Sequence, residues 1–359
     1  MHKKVLPGMI GALLAGGMSA AFADVSLFGH LDAAYIGVDQ DGGTDDTVFR
    51  CTTCSIGFKG SEDLGNGLKA IFKLDFQFDM MNRNRVSSTS ISVTPGGVLV
   101  TSGGTTSTSV SQGSGAITDR DQWVGLAGSF GKVRVGTIST GYKSHGAMID
   151  PLYRTALQGR DRGLQSTYHR GAGEELQGRA TNTVRWDSAD YNGVKLVAHY
   201  TLDSDETNGE DDNPYGVGAS YSNKSMLVFA DYMDNAQGGT AERDAWKVGG
   251  KYDLGMFSFM GQYEDYSKSS TDDETAWHIA GAVNGLLGIN IYLGFGMGED
   301  DATGDELTSW TLAVSHDFSK RTMLYAGHSQ YDCDTGGPNA SLSICSTVGL
   351  SGGEDDRTA

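Results

Sequence analysis

After its first 23 residues, this chain of 359 has no long apolar run. A helical membrane span needs about 20 consecutive apolar residues, so none is expected. Hydrophobic residues reach only 38% and mean hydropathy is −0.31, leaner than a large soluble domain. Proline is scarce, at 5 against 52 glycines, which suits many strands and tight turns. Basic residues are outnumbered 27 to 45, leaving a net charge of −18. Nucleic-acid phosphates need a basic face, so a nucleic-acid partner is excluded. Cysteines number only four: Cys51, Cys54, Cys333 and Cys345. Cys51-x-x-Cys54 lacks two further ligands at finger-like spacing, so no metal is expected, and no cofactor motif is present. Structural disulfides are the better reading, and four cysteines allow three pairings. The eight histidines form no compact motif with Ser or Asp, so no catalytic residue is assigned and an enzyme is not expected.

What is present begins at the N-terminus. Lys3 and Lys4 precede an apolar stretch from Val5 to Ala21, and Ala21-Phe22-Ala23 is a small-x-small site. These features in this order read as a secretory leader over 1–23, leaving one domain over 24–359. In GLKAIFKLDFQFDM, residues 67–80, Leu68, Ala70, Phe72, Leu74, Phe76 and Phe78 alternate with Lys69, Ile71, Lys73, Asp75, Gln77 and Asp79. A period of two makes a strand with one greasy and one polar face. About fifteen such strands follow one another at hairpin spacing.

The connections decide which solvent each face meets. Tight turns at 61–67, 130–132, 191–193, 222–225, 253–255, 284–288 and 318–320 are expected to alternate with longer polar segments. The latter fall at 39–49, 80–119, 140–178, 203–213, 234–243, 267–274, 299–306 and beyond 331. A soluble sandwich has no reason to segregate loop lengths, whereas an outer-membrane barrel has short periplasmic turns and long outer loops. Phe72, Phe76 and Phe78 are therefore expected to face lipid, and Lys69, Lys73, Asp75 and Asp79 water. Acidic clusters such as Glu210-Asp211-Asp212 and Glu299-Asp300-Asp301 read as solvated loop surface. A second reading has them binding divalent cations beside lipopolysaccharide.

SLFGHLDAAY, SIGFKGSEDLGNGLKAIFKLDFQF, QWVGLAGSFGKVRVG, RATNTVRWDSADYNGVKLVAHY and SHDFSKRTMLYAGHSQYD resemble the general porins of Gram-negative bacteria, of the Neisseria and Burkholderia type. The resemblance implies an all-β, 16-stranded transmembrane antiparallel barrel in the outer membrane, in contact with lipid and lipopolysaccharide and assembled as a homotrimer. It implies a water-filled channel for passive diffusion of small hydrophilic solutes and ions. The rival is a non-conducting adhesion or surface-binding barrel. By the same resemblance, the Ser/Thr/Gly-rich 80–119 segment would latch onto a neighbouring barrel.

The third long connection, 140–178, would fold into the lumen as a constriction, with Tyr142, Met148, Ile149, Leu152, Tyr153 and Leu157 as apolar anchors and Asp150-Pro151 matching the family signature. Parity turns Lys59, Lys69, Lys73, Arg134, Arg179, Arg185 and Lys195 inward, against Asp75, Asp79 and Asp187. The loop adds Lys143, Arg154, Arg160, Arg162 and Arg170 against Asp150, Asp161, Glu174 and Glu175. The pore-lining set taken forward is Lys59, Lys69, Lys73, Asp75, Arg134, Asp150, Arg154, Arg179, Arg185 and Lys195. Such charges set selectivity through a focused field, or serve as structural glue with neighbouring acids. Ser55 stands where the family often carries an Arg. Both termini of such a barrel lie on the periplasmic side, so fifteen strands imply a sixteenth. CDTGGPNASLSICSTVGLSGGEDDRTA has outer-loop composition, and the final strand is expected to be missing from this chain.

Overall fold

The computed structural model describes residues 24–40, 46–81, 118–159, 178–202, 213–234, 244–269, 272–302, 304–334 and 353–358. The expected leader, most of 80–119, the second half of 140–178 and Cys345 lie outside the described residues.

Eighteen strand segments form one antiparallel sheet. They are β1 (Asp24–His30), β2 (Ala34–Gln40), β3 (Asp46–Arg50), β4 (Ser55–Gly65), β5 (Leu68–Gln77), β6 (Thr118–Gly128), β7 (Gly131–Ser139), β8 (Arg179–Asp187) and β9 (Val194–Thr201). They continue with β10 (Tyr215–Ser222), β11 (Met226–Asp234), β12 (Asp244–Leu254), β13 (Phe257–Ser269), β14 (Asp272–Leu286), β15 (Ile289–Asp300), β16 (Asp305–Ser319), β17 (Thr322–Asp334) and β18 (Gly353–Thr358). β1 pairs with β4 and β2 with β3, so β1/β2 and β3/β4 are each one pass with a short break. Eighteen segments thus make sixteen passes.

Each strand from β4 to β17 pairs with the next along the chain. The last segment, expected to be outer loop, contributes β18 instead, paired with His328–Cys333 on one side and Gly37–Gln40 on the other. Its run of Gly, Asp and Glu has no apolar face to announce a strand. Asp24–His30 and Thr322–Gly327 have no strand partner on their facing edges among the described residues.

Alternation governs which way side chains point. Val25, Leu27, Phe58, Leu74, Val124 and Leu126 are exposed on the outer face, where a barrel meets lipid. Their neighbours Asp75 and Arg120 are buried on the inner face. Aromatic pairs such as Tyr215–Tyr232 and Trp246–Tyr263 line the outer ends of neighbouring strands, as interfacial rings do. Asn66 and Gly67, at φ 54° and 77°, form the two-residue turn between β4 and β5, a left-handed pair typical of tight hairpins.

The alternation of short and long connections holds less strictly than expected. β13 and β14 are joined by residues 270–271 alone, and β15 and β16 by 301–304. Tyr266 pairs with Glu274 and Glu274 with Asp300, so these strands continue into the acidic stretches. A strand rising past the hydrocarbon needs no apolar face, so its composition resembles a loop.

Candidate functional site

Thr140 opens the inward loop. Its side chain accepts from Lys143 N at 3.2 Å and caps α1 (Gly141–Met148), as an N-cap threonine does. The loop's neck is tied where Thr140 N donates to Gly178 O at 2.9 Å. No helix was expected here, since the sequence shows no helical period.

From that neck, α1 lies against β9, β10 and β11. His145 Nδ1 stands 2.8 and 3.0 Å from the Asp231 carboxylate oxygens. The Tyr142 hydroxyl donates to Glu264 Oε2 at 2.8 Å, and Lys247 Nζ lies 4.0 Å from the centre of its ring. Beyond α1, Ile149, Leu152 and Leu157 bury themselves among Phe229, Met260, Ala280, Ala282, Tyr292 and Ala313. Each such side chain stabilises docking by about 1.5–3 kcal/mol. Tyr142 is buried as well, whereas Met148 is exposed and Tyr153 only half-buried, so those two are not deep anchors.

The tip reaches the start of the barrel. Arg154 Nη2 donates to Thr53 O at 2.7 Å and Ser55 Oγ at 2.8 Å, while its carbonyl lies 3.1 Å from His30 Nε2. A guanidinium thus stands beside Ser55 after all, supplied by the loop rather than by the strand. Ala156 N donates to the Tyr325 hydroxyl, which donates to Asp32 Oδ1. A Cys51–Cys54 disulfide bridges the break between β3 and β4 next to this anchor. Asp150 is buried, and its Oδ1 accepts from Leu152 N at 2.9 Å, shaping the turn at Pro151.

The described residues of the loop pack along the inner faces from β9 round to β4 and reach β8 at Arg185; beyond them stand the inner faces of β5–β8. That wall is ionic. Asp121 accepts from Lys73 Nζ at 3.2 Å, Arg179 Nε at 3.0 Å and Ser139 Oγ at 2.7 Å. Asp75 lies 3.4 Å from Lys73 and 3.5 Å from Arg120. Asp187 bridges Arg134 and Arg185, which sit directly opposite one another across β7 and β8. Arg185 also bonds Ser139 O and Ser144 Oγ, tying the wall to α1. Five cations therefore share three carboxylates.

Arg120 and Asp121 were not expected at this site. Opposite Asp75 the register shifts between Leu74–Gln122 and Phe76–Asp119, a bulge that puts two residues against one. Strict parity therefore fails there. Lys59 faces the lumen nearer the short turns, 5.7 Å from the centre of the Phe28 ring. Lys69 is exposed beside the β4–β5 turn, opposite Asp63. Lys195 lies at the turn between β8 and β9, 3.4 Å from Asp190. The Gly193 N–H and Lys195 hold the Asp190 carboxyl below its ordinary range. Lys69 and Lys195 thus stand at the turn end, away from the loop. Arg160, Asp161, Arg162, Arg170, Glu174 and Glu175 lie outside the described residues, as does the Cys333 side chain.

Sixteen passes, an apolar outer band and an infolded loop over a charged inner wall define an outer-membrane β-barrel of the porin class. The sequence profile of Gram-negative porins matches residues 11–336, and the chain belongs to that family. It is 29% identical over 241 residues to the major outer membrane protein P.IB of Neisseria gonorrhoeae, covering 62% of this chain and 55% of that protein. A Neisseria meningitidis serogroup B counterpart is likewise 29% identical, over 229 residues, covering 61% and 56%. The chain thus spans a little over half the length of these relatives. The anion-selective porin from Comamonas acidovorans superposes with a TM-score of 0.73 at 21% identity, covering 94% of this chain and 98% of that one. OmpF of Salmonella typhi, in complex with daunomycin, gives 0.67 at 12%, covering 94% and 96%. These two likenesses speak to the fold.

Proposed function

We propose that this protein is a water-filled pore through which small hydrophilic solutes and ions diffuse down their gradients, assembled as a homotrimer. The observation that carries it is the one-sided docking of the loop's described residues: they cover β9–β4, while β5–β8 carry an ionised wall. A polar wall partly open to solvent is what a diffusing ion needs. No chemical step or cofactor is invoked. Bilayer recording tests the reading, with stepwise openings expected; silence from folded protein favours the adhesion barrel instead. Deleting Asp150–Gln158 removes the Leu152, Arg154 and Leu157 contacts and should raise unit conductance. Unchanged conductance in a folded deletion overturns the constriction.

Selectivity follows from the same wall. The net charge of −18 lies largely in acidic runs at the outer end, and salt screens charge beyond ~8–10 Å. The five-to-three excess of cations on β5–β8 acts on the ion at close range, so a mild preference for anions is proposed.

A further inference from the structure

Nearer the short turns than the ionic wall, a recess of about 330 Å³ opens on the inner face of β1, β4, β5, β6 and β7. That volume is at the small end of ligand sites. Its floor is apolar: Ile71 from β5 and Trp123 from β6. Its two edges are basic, with Lys59 from β4 on one side and Lys132 and Arg134 from β7 on the other. Asp24 is the acidic residue among those lining it.

The lysine charge at these edges is unspent. Among the described residues, neither Lys59 nor Lys132 makes an ion pair; Lys59 Nζ has only the Phe28 ring, which Lys73 Nζ shares at 5.4 Å. Across β4 and β5, Lys59 is paired directly with Lys73, and like charges so placed repel. Asp75 and Asp121 already meet Lys73, so an anion at this edge serves Lys59. Arg134, bonded to Asp187, lies over Trp123 with its guanidinium 5.1 Å from the ring centre, which fixes the second edge. β4 and β7 are three strand spacings apart, about 14 Å, and the Lys and Arg stems reach inward from both.

Two cationic edges with an apolar floor between them fit a flat anion charged at both ends. We infer that this recess is a binding site for small dicarboxylates with an apolar, ring-like body. One carboxylate meets Lys59, the other meets Lys132 and Arg134, and the body lies over Ile71 and Trp123. This deepens the pore reading: the wall at the constriction acts on any anion, while the recess selects by length and shape. The occupant would dwell there before moving on, and its affinity would fall with salt because both contacts are ionic.

The test is calorimetric titration of the full chain in detergent at low salt, with terephthalate as probe and benzoate as its one-ended counterpart. Terephthalate should bind at least about tenfold more tightly, since each added charge-assisted contact is worth roughly that factor. Lys59→Gln, which empties one edge of cations, should reduce terephthalate affinity to the benzoate level while changing benzoate affinity much less; Lys132→Gln should weaken both probes, since Arg134 alone remains at the other edge. Sheet circular dichroism and an unshifted thermal melt identify folded variants. Equal affinities for the two probes, or a loss in Arg179→Gln with none in Lys59→Gln, overturns the site. Protein that binds terephthalate as described yet opens no conductance supports the recess and removes the pore reading, so the two fail separately.

Discussion

Replacing Arg179 and Arg185 together by Gln should abolish the preference for anions. Lys73, Arg120, Arg134, Arg179 and Arg185 face Asp75, Asp121 and Asp187, so the wall carries two surplus positive charges. Two charges act on a monovalent ion at about 7 Å in water with roughly 1.2 kcal/mol. Screening over ~8–10 Å reduces this to about 0.5 kcal/mol. An anion is favoured and a cation disfavoured by that amount, and a difference of about 1 kcal/mol is a roughly fivefold permeability ratio. Two Gln replacements bring the tally to three cations and three carboxylates, and the ratio near one. Gln retains amide donors for Ser139 O and Ser144 Oγ, so the tie to α1 is only weakened. The assay is the zero-current potential across a bilayer in a KCl gradient. A wild type that selects cations would refute the tally, as would a conducting variant with unchanged potential.

Three further outcomes follow from the loop's anchors. Cys51→Ser with Cys54→Ser removes the brace beside Thr53 and Ser55, which hold Arg154; open-channel current noise should rise, and noise identical to wild type counts against the clamp. A Cβ at Gly327 would lie 2.6 Å from both Leu157 Cδ1 and Leu312 O, so Gly327→Val should destabilise by about 1–3 kcal/mol through overpacking, and an unshifted thermal melt contradicts this. His145→Ala strips the Asp231 carboxylate of its imidazole partner at a cost of about 1–3 kcal/mol. Adding Asp231→Asn should restore most of that loss, because the stranded charge is what costs; an additive pair of losses in the melts argues otherwise.

The barrel was legible because lipid imposes one rule on every strand. An outward residue must be apolar or aromatic, and an unpaired backbone group in hydrocarbon costs several kcal/mol. Leu74 and Asp75, adjacent in sequence and opposite in exposure, show the rule at its clearest. Above the hydrocarbon it lapses. Ser267↔Asp273 and Thr275↔Glu299 are strand pairs made wholly of polar residues, and nothing in their composition separates them from loop. The Glu354–Thr358 stretch of β18 was hidden for the same reason.

The site was legible by halves. Parity separates inward from outward, but not an inward residue that meets water from one that meets the loop. Phe229, Met260 and Tyr292 point inward and are apolar, which breaks the lipid-out, water-in pattern until Ile149, Leu152 and Leu157 are seen against them. No periodicity joins residue 157 to residue 313, so that pairing is a tertiary fact. The ionic wall was half visible for a second reason: a bulge advances parity by one, as at Arg120 and Asp121, and a bulge is set by neighbouring strands rather than by its own residues. Yet the two halves constrain each other. An apolar inner face needs a cover, so the loop lies on β11–β16; Asp231 and Glu264 beneath it are met by His145 and Tyr142, while the Lys73–Asp121 and Arg134–Asp187 pairs stand on β5–β8. Which strands meet the loop is read from the contacts of Ile149, Leu152 and Leu157 with the later strands, not from parity.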